Sequence, residues 1–187
     1  MKKIFLFLTI ICMCTYLFAQ KENYKVVGNQ VVVEKIFQTD LSIEQAHDAI
    51  EAYLASAYNN SNYTNKLNNP NHLIYTGIFG EIETFSLGAF TIDVHHNLDI
   101  AFKDGRVKVK IYIDVADVRN SSSNRNTFKN SYYITEYVPV TDKYNMMELN
   151  APKKSIIAAF DKSISYMNII VSGAEQALIK SSNEDEW

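Results

Sequence analysis

Asp93, His95, His96 and Asp114 are the residues whose types and spacing come nearest to chemistry. They lie in two runs that alternate apolar and polar residues, so adjacent positions point to opposite faces of a strand and His95 and His96 cannot share one ion. With Lys103 paired to Arg106, His95 falls opposite Asp114 and shares its face with Asp93. One imidazole and two carboxylates are the donors of a small nitrogen and oxygen metal site. Such a site needs three or four converging ligands, and strand neighbours two apart diverge with the twist. The favoured reading is a solvent-facing cross-strand pair, with no metal, cofactor or catalytic residue assigned. His96, on the apolar row, is expected to be a core histidine hydrogen-bonded within the protein.

Other chemistries lack their residues. Cys12 and Cys14 both lie in an apolar leader, so thiolate catalysis and disulfides fall away with it. Neither follows the Leu, small, small pattern of a lipid-modified cysteine. There is no Gly-x-Ser-x-Gly elbow. The six glycines are spread from Gly28 to Gly173 without the clustering of a phosphate loop. Asp, Glu and His are too dispersed to name an acid and base pair. Tyr132, Tyr133 and Tyr137 could form a ligand surface, but Tyr is also a good strand former. Eighteen basic against 21 acidic side chains, a formal charge of −3, argue against a nucleic-acid partner.

The leader has the form of a secretory signal. Lys2 and Lys3 precede the apolar run Ile4 to Phe18, and Ala19 before Gln20 offers a cleavage point. A membrane span needs ~20 apolar residues, more than this run holds, so no stable span is expected after cleavage. The expected location is periplasmic or extracellular. Loss of the two lysines makes the remaining chain more acidic. The organisation read from the chain is a signal peptide at 1–19, a polar lead-in at 20–29, one domain at 30–180 and an acidic tail at 181–187.

Five strands and two helices position the candidate residues. Gln30 to Phe37 is β-branched and apolar, a first strand. Ser42 with Gln45 makes a capping box, and Ile43, Ala46, Ile50, Tyr53, Leu54 and Ala57 continue at helical spacing. The Asn-rich stretch Asn59 to Asn71 reads as a loop, His72 to Thr84 as a second strand, and Phe85 to Gly88 as a short hairpin connection. Phe90 to Phe102 and Val107 to Val115 alternate around an Asp104-Gly105 turn. That register places Phe102 with Val107, Ile100 with Val109, Leu98 with Ile111 and Asp99 with Lys110. Arg119 to Asn130 reads as a mobile loop, Ser131 to Val138 as a strand closed by Pro139, and Asn150 with Pro152 as the start of a long helix through Leu178. The fold class is α+β: a two-layer sandwich of a mainly antiparallel five-stranded sheet with two helices on one face.

Three features carry a resemblance: the signal sequence, the Val31-Val32-Val33-Glu34-Lys35 strand leading to Leu41-Ser42, and the Phe102-Lys103-Asp104-Gly105-Arg106 turn. In these and in element order from Gln30 to Leu178 the chain resembles an uncharacterised family of exported Bacteroidetes proteins. Their domain is described as TBP-like, after the TATA-binding-protein fold. The resemblance implies that sandwich and no activity, cofactor or site residue. Acidity and export oppose the DNA binding that the name suggests. The function expected is a non-enzymatic binding or interaction module of the cell envelope, with an envelope protein or small ligand as partner. The first alternative is a small-molecule carrier or enzyme with a cavity between the C-terminal helix and the sheet. The second is a structural envelope component.

Overall fold

The hairpin at Asp104-Gly105 organises the sheet. In the computed structural model of the chain, residues 24–58, 64–121, 129–135, 138–139 and 152–184 are described. The signal peptide, Tyr137, the Asn150 cap and the end of the acidic tail lie outside them. Strands run as β1 (Lys25–Val27), β2 (Gln30–Gln38), β3 (Thr64–Asn69), β4 (His72–Phe85), β5 (Phe90–Lys103), β6 (Arg106–Asn120), β7 (Lys129–Tyr133) and β8 (Val138–Pro139). Helix α1 (Ile43–Ala57) lies between β2 and β3, and α2 (Lys153–Glu184) follows β8. The eight strands form one antiparallel sheet in the order β1-β2-β6-β5-β4-β3. β7 pairs with the second half of β6, from Val115 to Arg119, and β8 pairs with β7.

The α+β class, the antiparallel sheet and the two helices agree with the sequence reading; the count of five strands does not. Val26 and Val27 pair with Val31 and Gln30 across a Gly28-Asn29 turn, so part of the polar lead-in is a strand. Gly28 takes φ 59°, which a residue without Cβ adopts freely. Thr64–Asn69 is also a strand, because its backbone pairs with the edge of β4 while nearly all its side chains stay in water. Edge pairing overrides the turn preference of asparagine. Arg119 and Asn120 complete β6, and α2 continues through the first residues of the expected tail.

Both helices cover one sheet face. The Ser42 and Gln45 capping box is present, with Gln45 N–H to Ser42 Oγ at 3.2 Å and Ser42 N–H to Gln45 Oε1 at 2.9 Å. Helix α1 buries Ala46, Ile50 and Leu54, and α2 buries Ile156, Met167, Ala174 and Leu178 in the same cluster as the inner rows of β5 and β6. Fully burying each large apolar side chain contributes about 1.5–3 kcal/mol. The helices meet where Tyr53 lies over Gly173; a Cβ there would collide with the Tyr53 ring. Lys35 stands on the helix-facing row of β2 and meets Glu175 of α2 at 2.8 Å. An inward charge on a strand near the sheet edge discourages a second sheet from adding there.

Candidate functional site

The outer face of the sheet divides at a β-bulge. Below it the register is as read from the sequence: Lys103 with Arg106, Phe102 with Val107, Leu98 with Ile111, Asp99 with Lys110. Glu34, Lys110 and Asp99 stand in one transverse row with alternating charge, and His72 Nε2 approaches Asp99 Oδ1 at 2.8 Å. These groups are part-exposed, a solvated ladder of ion pairs.

Between Val94 and His96 the register shifts, and Val94 pairs with Ala116. Asp114 and Val115 together lie opposite His95, so the expected His95 and Asp114 pair does not form. Asp117 takes that place: His95 Nε2 lies 2.6 Å from Asp117 Oδ2. Asp114 instead gives its backbone carbonyl to Ile134 N–H at 3.0 Å. Asp93, directly across from Asp117, is bound by Arg119 Nε at 2.8 Å and by Glu81 N–H at 2.7 Å. Of the three sequence candidates, Asp93 joins Arg119 and Glu81, His95 joins Asp117, the two groups face each other where Asp93 stands opposite Asp117, and Asp114 lies beside them.

A second bulge, in β4 between Phe79 and Glu83, brings Glu81 to this network. Glu81 adopts φ 54°, costly for a residue with a Cβ. Its N–H holds Asp93, and its carboxylate accepts from Arg119 at 2.8 Å. From the other side Ser131 of β7 donates to Asp117 Oδ1 at 2.5 Å. Asp93, Asp117, Arg119 and Ser131 are all buried. Hydrogen bonding to Asp93 holds the Arg119 guanidinium pKa above its usual value, against the opposing effect of burial, with Glu81 adding to the rise.

The connectivity decides what this network can do. An ionised carboxylate only accepts, so the His95 Nε2–H and the Ser131 hydroxyl both donate to Asp117. A nucleophilic serine must give its proton to the imidazole, with the acid behind it. Here the acid stands between them, which holds Ser131 in place without activating it. His95, with its side chain 39% exposed, spends Nε2 on Asp117 and leaves Nδ1 outside that contact. His96, on the inner face, stacks on Phe79 with centroids 4.1 Å apart and lies 5.8 Å from the Tyr58 ring. Burial, aided by the neighbouring His95, lowers its pKa to about 4.

Arg119, Asp117, Glu81 and Ser131 were not singled out by sequence. The sign available was the adjacent apolar pair Val115-Ala116, which breaks the period-two pattern where the bulge lies and puts Asp117 and Arg119 on the face of Asp93.

No family description matches the chain, and no curated protein matches it. Solved structures do. The chain is similar to a DUF4468 family protein from Bacteroides ovatus, with TM-score 0.57 and 14% identity over 84% of this chain and 91% of that one. It is similar also to a TBP-like protein from Parabacteroides distasonis, with TM-score 0.54 and 11% identity over 81% of this chain and 96% of that one. The fold is thus TBP-like and is shared with an uncharacterised Bacteroidetes protein family.

Proposed function

We propose that the protein is an exported, non-enzymatic binding module of the cell envelope whose partner meets the outer face of the sheet. The carrying observation is the closed inner layer. Ile92, Val94, Leu98, Ile100, Val109, Ile111 and Ile113 are 0% exposed, so no water-sized void touches them. A carrier of the helix-grip kind needs a void there. The open space on the helix side lies at the margin, a cleft of about 490 Å³ between α2 and β2 lined by Tyr24, Val33, Lys35, Asn168 and Ser172. With the central row sealed, the broad surface offered to a partner is the outer face, where charged and aromatic groups such as Lys110, Tyr112, Asn97 and His95 are half-buried. Export rests on the basic and apolar leader at 1–19, and periplasmic or extracellular placement follows from it. No helix among the described residues is long and apolar enough to cross a membrane.

A photo-crosslinking residue placed at Asn97, on the outer face, and at Ser172, which lines the cleft between α2 and β2, tests this reading in cells of the source type. Adducts formed at Asn97 and not at Ser172 are expected, together with loss of the leader on the mature protein by mass spectrometry. Equal labelling at both positions, or a melting-temperature rise with apolar small molecules, would favour the alternatives.

A further inference from the structure

Away from the outer face, α1 carries His47, Asp48 and Glu51, and each can offer one ligand atom within 4.8 Å of the others. The His47 side chain is only 12% exposed and its ring lies 5.4 Å from that of Phe102, so its direction is set by packing. Its Nε2 lies 3.0 Å from Asn68 Oδ1 on β3. The same amide donates from Nδ2 to Glu51 Oε1 at 2.6 Å. Because the carboxylate can only accept, the amide nitrogen must face Glu51 and the amide oxygen must face His47. His47 therefore carries its proton on Nε2, and the neutral ring has its lone pair on Nδ1.

That lone pair looks toward two anions: Nδ1 is 3.4 Å from Asp48 Oδ1 and 3.9 Å from Glu51 Oε2. A proton on Nδ1 would reach Asp48 and leave Glu51 beyond hydrogen-bond range. A cation between the three would meet all of them: ligands bound at 2.0–2.2 Å around a tetrahedral ion stand roughly 3.3–3.6 Å apart. Against that stand 3.4 Å and 3.9 Å from Nδ1 and a spread within 4.8 Å, so the carboxylate ends would close in on the ion by a small turn. The outer hydrogen bonds are also those of a metal site: the far nitrogen of the ligating histidine gives its N–H to an oxygen, and a ligating carboxylate is itself hydrogen-bonded.

We propose that His47 Nδ1, Asp48 and Glu51 bind a divalent transition metal of the zinc class, with Asn68 orienting two of the ligands and water completing the shell. The ion would fasten α1 to the β3 and β4 hairpin through Asn68. This site is independent of the outer-face reading and stands or falls separately.

The test uses the purified protein freed of metal with a chelator and titrated with zinc chloride by calorimetry. One equivalent is expected to bind. Asp48→Asn, at an exposed position, and Glu51→Gln, at a half-buried one, should each weaken binding about tenfold or more, and Asn68→Ala about tenfold. His72→Gln, which touches only the separate pair with Asp99, should bind as the parent does. A reading independent of any variant is the 15N spectrum of the parent protein, in which zinc should shift His47 Nδ1 and leave Nε2 protonated. The proposal is overturned if zinc does not bind, if Asp48→Asn and Glu51→Gln bind it as tightly as the parent, or if the Nδ1 resonance does not move.

Discussion

The two halves of the β5 and β6 hairpin use the same residue types under opposite conditions. From the Asp104-Gly105 turn to His96 the outer face carries part-exposed pairs such as Asp99 with His72, in a regular ladder. Past the bulge, Asp93, Asp117 and Arg119 are buried, and each is held by a hydrogen-bond partner from a neighbouring strand. Exposed ion pairs contribute little because water competes for them. A buried pair is different: the desolvation cost is already incurred, so removing one member leaves a charge with nothing in place of water. The lower half is a surface that tolerates change. The upper half ties polar groups of four strands, β4 to β7, to one another.

Arg119→Ala gives the largest break in this comparison. It leaves Asp93 buried without its guanidinium and frees Glu81 from the contact that accompanies its positive φ. A loss of about 3–5 kcal/mol is expected in urea unfolding. A loss below about 1 kcal/mol would place the upper half with the lower. Replacing Arg119 and Asp93 together by Met and Leu should recover much of the loss, since an apolar pair of similar size carries no unpaired charge.

His96 sits at the boundary, and pH tests it. Between pH 6.5 and about 4 the unfolded chain binds a proton on this ring that the folded ring refuses. The unfolded state then holds more protons, so stability falls as pH drops through that window and levels off below it. The full effect is on the order of 3 kcal/mol. His96→Phe should flatten the pH dependence by that difference. An unchanged slope would mean that the ring takes up its proton in the folded protein.

The lower half was legible because three signals agreed. Asp104-Gly105 supplies the turn, apolar residues alternate on both sides of it, and a slip of one would put Leu98 and Ile111 in water and Asp99 and Lys110 in the core. The capping box at Ser42 was legible for the same reason: its two side chains act within four residues. The upper half was not, since a bulge is one added residue whose only local trace is Val115 beside Ala116. Strand β3 was hidden because its pairing is decided by the free edge of β4 and not by its own asparagines. In the α1 cluster, His47 and Glu51 stand four residues apart on one helix face but were not singled out, and Asn68, which determines the tautomer, comes from that unrecognised strand.

A milder test stays within the upper half. Ser131→Ala removes one donor from buried Asp117 and leaves His95 in place. A loss of about 1–2 kcal/mol is expected, between that of a neutral and a charged hydrogen bond. Thr at the same position should recover part of it.

The smallest effect should come from Lys110→Ala, and it is the one that most directly tests the lower half. Lys110 stands between Glu34 and Asp99 in the transverse row and its ammonium lies 5.1 Å from the centre of the Tyr112 ring. All its partners reach solvent, so the change should cost less than about 1 kcal/mol. Salt separates the two halves more sharply than the magnitude does. The Debye length falls from about 10 Å at 0.1 M to about 3 Å at 1 M, so the Lys110→Ala loss should shrink over that range while the Arg119→Ala loss persists. Equal salt sensitivity in both variants would show that the upper network is wet, and the contrast between the halves would then be one of register alone.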